Sequence, residues 1–166
     1  MTDTTATKTV YPELDNERYT ERAIELAREA AARGDNPYGS LLVDPDAPEG
    51  PTILREARNA VVTEDDLREH PELHLAEWAG RELDPAVRER TIMYTSTEPC
   101  PMCAGGIRIA RLAAVVHSVS AERAAELAGH GNAHPSRLVY DDTGTDVQSL
   151  GPVLPEAGAA VHRDHR

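Results

Sequence analysis

Two short fragments of the chain carry residue types that together could hold a catalytic metal ion. The first is His70-Pro71-Glu72, and the second is Cys100-Pro101-Met102-Cys103. One imidazole and two thiolates make a three-ligand zinc site that leaves the fourth tetrahedral position open to water. Zinc lowers the pKa of such a water to about 7, so hydroxide is available at neutral pH. A carboxylate close to the ion that does not ligate it can then carry protons, and the spacing predicts that role for Glu72.

Both fragments fall where the chain enters a predicted helix. One helix is expected from Pro71 to about Leu83 and another from Pro99 to Ala110, because proline favours the first helical position. Cys100 and Cys103 are three residues apart, which would place both thiols on one face of the first turn. Free N–H groups and the helix dipole at a helix start favour thiolates. If the two helix starts meet, His70 joins both cysteines around one ion.

The remaining histidines do not offer a better ligand set. His74 lies four residues after His70, but metalloproteases place their glutamate directly after the first histidine, where this chain has Pro71. A register built on His74 and Glu77 fails as well, since that glutamate comes one residue too late. We therefore predict that His74 is packed or solvated. Surface or satisfied loop positions are expected for the five others: His117, His130, His134, His162 and His165.

The order of the predicted elements indicates an α/β fold. Helices are expected over residues 19–33 and 121–128 and from about residue 155 to the end, in addition to the two already described. Strands are expected at residues 38–43, 52–62, 91–95, 113–119 and 138–140. The second strand is predicted to run antiparallel to the first and to be interrupted near Asn59. This order predicts a three-layer α/β/α domain with a mixed central sheet.

Length and composition are those expected of one cytoplasmic domain. The 166 residues suffice for one hydrophobic core, and no stretch approaches the roughly 20 apolar residues that a membrane helix needs. Residues 1–16 are polar and without periodicity, so we expect a flexible N-terminal arm there and a single domain over 17–166. Two cysteines spaced as Cys-x-x-Cys favour a metal or redox role in a reducing compartment over a disulfide framework.

The chain is strongly acidic. It has 29 acidic and 17 basic residues, a net charge of −12, and Lys8 as its only lysine. Such a composition is typical of halophilic proteins, whose self-repulsion is screened at high salt; an acidic protein from an arginine-biased genome is the alternative. Binding of a nucleic acid needs a basic stripe, which the sequence does not show, so we expect a small-molecule substrate and no nucleic acid.

The two fragments resemble the signature of the cytidine/deoxycytidylate deaminase superfamily, His-x-Glu followed by Pro-Cys-x-x-Cys. In detail they are similar to its nucleobase, nucleoside and tRNA-editing branch, and the resemblance covers about residues 19–119. It implies a cytidine-deaminase-like domain. It also implies Zn²⁺ bound by His70, Cys100 and Cys103, with Glu72 as the catalytic acid and base.

Other positions match that superfamily less closely. Asn36-Pro37-Tyr38-Gly39 is similar to its Pro-Phe-Gly, and Thr97-Glu98-Pro99-Cys100 to its approach to the first cysteine. By this resemblance Asn59 contacts the base or sugar, with a turn residue as the alternative reading, and Pro99 and Cys100 help to bind the substrate. Pro71 stands where the superfamily usually has alanine. After Val119 the resemblance fades, in the segment that normally decides substrate choice.

The resemblance implies hydrolytic deamination of a free nucleobase or nucleoside with release of ammonia. A purine such as guanine is favoured slightly over cytosine, and tRNA adenosine deamination is the alternative with the same catalytic residues. A non-enzymatic zinc domain and a Cys100/Cys103 redox pair are further alternatives, and a homodimer is the expected assembly. The chain has no phenylalanine, so base stacking is left to Trp78, Tyr38, Tyr94, a histidine or an aliphatic side chain.

Overall fold

The computed structural model describes residues 14–142 and 144–165. Its strands are β1 (Gly39–Asp44), β2 (Thr52–Arg58), β3 (Ile92–Thr97), β4 (Ala114–Val119) and β5 (Gln148–Leu150). Its helices are α1 (Asn16–Ala32), α2 (Val61–Glu64), α3 (Pro71–Glu82), α4 (Pro85–Arg88), α5 (Pro101–Ala110), α6 (Ala121–Ala128), α7 (Arg137–Asp142) and α8 (Pro155–Asp164). Within the described residues, no helix is both long and apolar enough to cross a membrane.

The strands form one mixed sheet in the order β2-β1-β3-β4-β5. β1 pairs antiparallel with both β2 and β3, whereas β3, β4 and β5 run parallel. The predicted antiparallel hairpin is therefore confirmed. Parallel neighbours place the carboxyl ends of β3 and β4 at one edge of the sheet, where α5 and α6 begin.

Alternate residues of the central strands pack on opposite faces of the sheet, as the two-residue repeat of a strand requires. Leu42, Met93 and Val115 join a core with residues of α3 and α5. Their neighbours in the chain join a second core with residues of α1: Leu41, Val43, Ile92, Tyr94, Ala114 and Val116. Helix α8 packs on the α1 side, through Val161 against Ile24 and Ala27. The expected α/β/α layering is confirmed.

Two element predictions were wrong. The second strand ends at Arg58, and residues 61–64 form α2, in which the backbone N–H groups of Val62 and Thr63 donate to the buried Asp35 carboxylate. Residues 138–140, predicted as a strand, lie inside α7, and the fifth strand is residues 148–150 instead. A run of three apolar residues does not separate helix from strand by periodicity, which explains the second error.

Few of the residues assigned to the N-terminal arm belong to the described part of the chain. Residues 1–13 lie outside it. Leu14 is buried in the core beneath α1, and the Asp15 carboxylate accepts a hydrogen bond from the backbone N–H of Arg18 at 3.0 Å. Asp15 thus caps α1, which starts at Asn16.

Gly39, the first residue of β1, permits the close approach of α1 to the sheet. A Cβ atom at this position would lie 2.5 Å from the backbone nitrogen of Ala27 and 2.6 Å from the carbonyl oxygen of Ala23. We expect Gly39→Ala to lower the free energy of unfolding by about 1–3 kcal/mol, the usual cost of overpacking. Urea-induced unfolding measures this effect.

Gly80 provides the matched control for that substitution. It lies within α3, and a Cβ there would meet no atom within 4 Å. Gly80→Ala should therefore raise the free energy of unfolding by about 0.5–1 kcal/mol, the helical preference of alanine over glycine. Equal stability of the two variants would contradict this account of Gly39.

Candidate metal and catalytic site

The starts of α3 and α5 meet on one side of the sheet and bring the two sequence fragments together. His70 is the N-cap of α3 and Cys100 is the N-cap of α5, each followed by a proline at the first helical position. Both caps have extended backbone. The helices approach closely at Gly106, where an added Cβ would lie 2.8 Å from Leu73 Cδ1. Helix α5 begins at Pro101, two residues later than predicted.

Three donor atoms converge where these helix starts meet. His70 Nδ1 lies 3.8 Å from Cys100 Sγ and 3.5 Å from Cys103 Sγ, and all three donors lie within 4.8 Å of one another. Ordinary zinc–nitrogen and zinc–sulfur bond lengths at a tetrahedral angle separate nitrogen from sulfur by about 3.6 Å. The chemistry and the spacing of this donor cluster therefore fit a zinc ion.

The electrostatics of the cluster favour a thiolate at Cys100. A hydrogen bond from Cys103 is the main cause that lowers the pKa of Cys100 to about 4, and His70 adds a second hydrogen bond. The pKa of Cys103 is raised correspondingly, first by its hydrogen bond to Cys100 and then by burial. Hydrogen bonding to Cys100 raises the pKa of His70. Thiolate is the form in which cysteine binds a metal.

Glu72 lies beside the donor cluster, on the second helical residue of α3. Its side chain is buried, and this burial raises the pKa of the carboxyl group. The Thr95 hydroxyl donates a hydrogen bond to Glu72 Oε1 at 3.0 Å and accepts one from the Ser40 hydroxyl at 2.9 Å. Oε2 lies 3.7 Å from Cys103 Sγ. A carboxyl group with a raised pKa, held in place next to a metal cluster, can take up and return a proton.

The donor cluster opens into a pocket of about 240 Å³. One side carries His70, Glu72, Cys100 and the chain from Thr97 to Pro101. A second part of the lining comes from α6 and the following loop, through Ala121, Ala124, Ala125, Ala128, His130, Asn132, Ala133 and His134. A wider depression of about 820 Å³ lies near Arg108 and Val147. It is lined by none of the cluster residues, so it is not the candidate metal site despite its larger size.

Residues 14–119 match the family described as the cytidine and deoxycytidylate deaminase zinc-binding region. The chain belongs to this deaminase family. It is 35% identical over 114 residues to the guanine deaminase of Bacillus subtilis (strain 168), covering 68% of this chain and 70% of the relative. The probable cytosine deaminase of Schizosaccharomyces pombe is 26% identical over 153 residues, covering 87% and 88%.

A tRNA-editing member of the deaminase family is similar to a shorter part of the chain. The tRNA-specific adenosine deaminase of Bacillus subtilis (strain 168) is 33% identical over 101 residues, covering 61% of this chain and 60% of the relative. Among solved structures, the guanine deaminase from Nitrosomonas europaea superposes with a TM-score of 0.72 at 19% identity, covering 90% of this chain and 83% of that one. This structural likeness establishes the deaminase fold.

The residues predicted to contact the substrate differ in their position relative to the pocket. Pro99 and Cys100 line the pocket. Asn59 is not among the lining residues. It is buried, and its backbone N–H donates to the carbonyl oxygen of Tyr38, which does line the pocket. The Asn59 Oδ1 accepts from the backbone N–H of Val61 at 3.1 Å, while its Nδ2 has no hydrogen-bond partner among the described residues.

Of the three aromatic residues proposed for stacking, Tyr38 alone lines the pocket. The Trp78 ring instead packs against the Arg55 guanidinium, whose Cζ lies 5.1 Å from the ring centroid. Tyr94 is buried between the sheet and α1, and its hydroxyl donates to Asn16 Oδ1 at 2.6 Å. Burial raises the pKa of Tyr38.

The histidine predictions were correct in part. His74 and His165 are exposed, as expected for solvated residues. His74 Nδ1 lies 3.7 Å from Glu69 Oε2. His130 and His134 are exposed loop residues as expected, but they also line the pocket.

Two histidines are not the surface or loop residues that were expected. His117 is buried in β4, which corrects the prediction, since a central parallel strand is covered on both faces. His162 lies on α8, with Nε2 at 2.9 Å from Thr97 Oγ1 and its ring edge-on to Tyr38.

Sequence reasoning missed Thr95, the hydroxyl donor to Glu72, because the contact joins elements 23 residues apart. The polar loop Gly129–His134 was a signal that could have been used: two histidines and an asparagine follow directly on an amphipathic helix. Such side chains can recognise a ligand without burial of their own.

Proposed function

We propose that the chain is a zinc-dependent hydrolytic deaminase of a free nucleobase or nucleoside, with a guanine-like purine ahead of cytosine. The observation that carries the proposal is the three-donor cluster with the buried Glu72 carboxyl beside it, at the floor of a small pocket. Ligand pockets commonly measure about 300–1,000 Å³, so a pocket of about 240 Å³ suits a small ligand. The guanine deaminase of Bacillus subtilis, 35% identical, supports the preference for guanine.

We assign the metal-binding role to His70, Cys100 and Cys103. A zinc ion held there supplies a water whose pKa is lowered to about 7, and with it a nucleophile at neutral pH. Glu72 is not one of the three donors, and its Oε2 faces their side of the pocket, 3.7 Å from Cys103 Sγ. Its carboxylate is therefore free to accept a proton.

Glu72 acts twice in the proposed reaction. It delivers the accepted proton to a ring nitrogen of the base, which makes the amino-bearing carbon electrophilic, so that the hydroxide oxygen bonds to this carbon. It then takes the remaining proton from that oxygen and passes it to the amino group, which leaves as ammonia when the C–N bond breaks. Thr95 fixes Oε1 by its hydrogen bond and so orients Oε2. Burial raises the pKa of Glu72 and stabilises the protonated form that the second transfer needs.

Substrate binding is assigned to Asn59, Pro99 and Cys100. In the part of the chain that the structure describes, the Asn59 Nδ2 is buried without a hydrogen-bond partner, and a buried donor in that state gains from an acceptor such as a base oxygen. Tyr38 offers an aromatic surface beside the pocket. A cytoplasmic location, a single domain over 17–166 and a homodimer belong to the same proposal.

A substrate panel tests the proposal. Ammonia release should be fastest with guanine or guanosine, slower with cytosine or cytidine, and absent with adenine, and it should disappear on zinc chelation. Running the panel at about 0.1 M salt and at high salt tests the halophilic hypothesis, which expects loss of activity at the lower concentration. Inosine in treated tRNA, without turnover of free bases, would instead identify a tRNA adenosine deaminase, a function named for the relative that is 33% identical.

A further inference from the structure

Glu98 lies directly before Pro99 and Cys100, at the carboxyl end of β3. Its side chain is buried, with 9% of the residue exposed. Its backbone N–H donates to the carbonyl oxygen of Val119 at 2.8 Å, which ties it to the end of β4. Glu98 therefore sits where the metal-binding part of the chain meets the part that follows Val119.

Both oxygens of the Glu98 carboxylate accept hydrogen bonds from that later part of the chain. Oε1 accepts from the backbone N–H of Ser136 at 2.7 Å and from its hydroxyl at 2.8 Å. Oε2 accepts from the backbone N–H of Ala121, the first residue of α6, at 2.9 Å. His117 Nε2 lies 3.9 Å from the same oxygen, beyond hydrogen-bond distance.

The two residues held by Glu98 flank a segment of the chain that lines the pocket. The lining residues of this part of the chain begin at Ala121, continue through α6 and the loop, and end at His134, two residues before Ser136. We call residues 121–136 the substrate wall. Its loop residues His130, Asn132 and His134 are exposed, whereas Ser136 is completely buried. The Ser136 hydroxyl also lies 3.2 Å from Ser149 Oγ, which connects this end of the wall to β5.

We propose that Glu98 is a positioning residue that fixes the substrate wall in the pocket that it shares with the donor cluster, and thereby sets the affinity for the base. Charge-assisted hydrogen bonds are stronger than neutral ones, and here three of them converge on one carboxylate. The wall contributes the polar loop residues His130, Asn132 and His134 to the pocket lining, so a displacement of the wall weakens binding of the ligand. The part of the proposal that concerns the ligand rests on the proposed deaminase function.

The test replaces Glu98 by glutamine, which keeps one acceptor oxygen but turns an NH₂ group toward a backbone donor. We expect the KM for guanine to rise about ten-fold, with kcat within two-fold of the wild type and a full zinc content. In hydrogen exchange, peptides from the substrate wall should exchange faster, while peptides from β3 and α5 should not change. Glu89→Gln is the matched control, because Glu89 is exposed, lies outside the substrate wall and the pocket lining, and pairs with the exposed Arg111 at 3.3 Å. It should leave both readouts unchanged.

A second variant, Ser136→Ala, removes the hydroxyl donor and keeps the backbone donor. We expect a smaller rise in KM for this variant, about three-fold. In the double variant with Glu98→Gln, the rise in KM should be less than the product of the rises in the two single variants. An unchanged KM in Glu98→Gln, or a parallel loss of kcat and zinc, would overturn the proposal. If the wild type deaminates no base at all, the proposed function fails instead, and unchanged exchange in the substrate wall would still refute the role of Glu98 as its anchor.

Discussion

Glu72→Gln should lower kcat for the base substrate by about 10²–10⁴-fold, the usual contribution of a positioned acid or base, without loss of zinc. The substitution keeps the shape of the side chain and its contact with Thr95 but removes the group that accepts and returns protons. The effect should fall on kcat more than on KM, because the proton is transferred in the reaction and not in binding. Steady-state kinetics with ammonia detection, together with metal analysis, measures both parts.

Glu77→Gln is the control for that variant. Glu77 lies one turn further along α3, is exposed, and pairs with Arg81 at 2.9 Å across one helical turn. An exposed pair of this kind contributes little to stability, so this variant should retain wild-type kinetics. Full activity of Glu72→Gln with zinc in place would exclude Glu72 as the proton carrier and would leave a zinc domain with another catalytic group, or with none.

Cys103→Ser should reduce the zinc content from one ion per chain to a small fraction and abolish activity. Serine has nearly the shape of cysteine, so the packing around this fully buried residue is conserved while a thiolate ligand is lost. A metal ion that binds only the folded state stabilises it, by about 4 kcal/mol when the metal is present at 1,000 times its dissociation constant. The variant should lose this stabilisation together with the ion. Metal analysis and thermal unfolding measure the two consequences.

Met102 offers the matched control within the same helical turn, because it is partly exposed and lies outside the donor cluster. Met102→Leu should keep zinc and activity. In the wild type, thiol reagents should modify Cys100 and Cys103 only after chelation of the metal. Stoichiometric zinc in Cys103→Ser would contradict the assignment of this cysteine as a ligand, and ready modification or oxidation of both thiols without chelation would favour the redox alternative.

The donor cluster was predictable because its signals are local. A histidine before a proline-led helix and two cysteines at the start of another helix define their own geometry through helix capping and the three-residue spacing. What the sequence did not establish was the meeting of the two helices, which depends on the sheet beneath them. The contact between Thr95 and Glu72 belongs to the same class, because it joins a strand to a helix and neither residue indicates the other.

The part of the chain after Val119 shows where local reasoning ends. Residues 138–140 are apolar, and two of the three favour strands, yet they form part of α7 just beyond Ser136, which Glu98 holds in place. His117 was expected at a surface or loop position, but its place in the sheet buries it. In both cases tertiary contacts overrule the preference of the individual residues.

Proline occupies the first helical position in both α3 and α5, directly after the metal-ligand candidates His70 and Cys100. The ring of proline fixes its own φ angle and confines the preceding residue to extended backbone, which is the conformation that both caps adopt. Much of the ordering of these two residues is therefore already present in the unfolded chain. The entropy cost of arranging the site is borne largely by covalent structure and by folding, so capture of the metal requires little further loss of freedom.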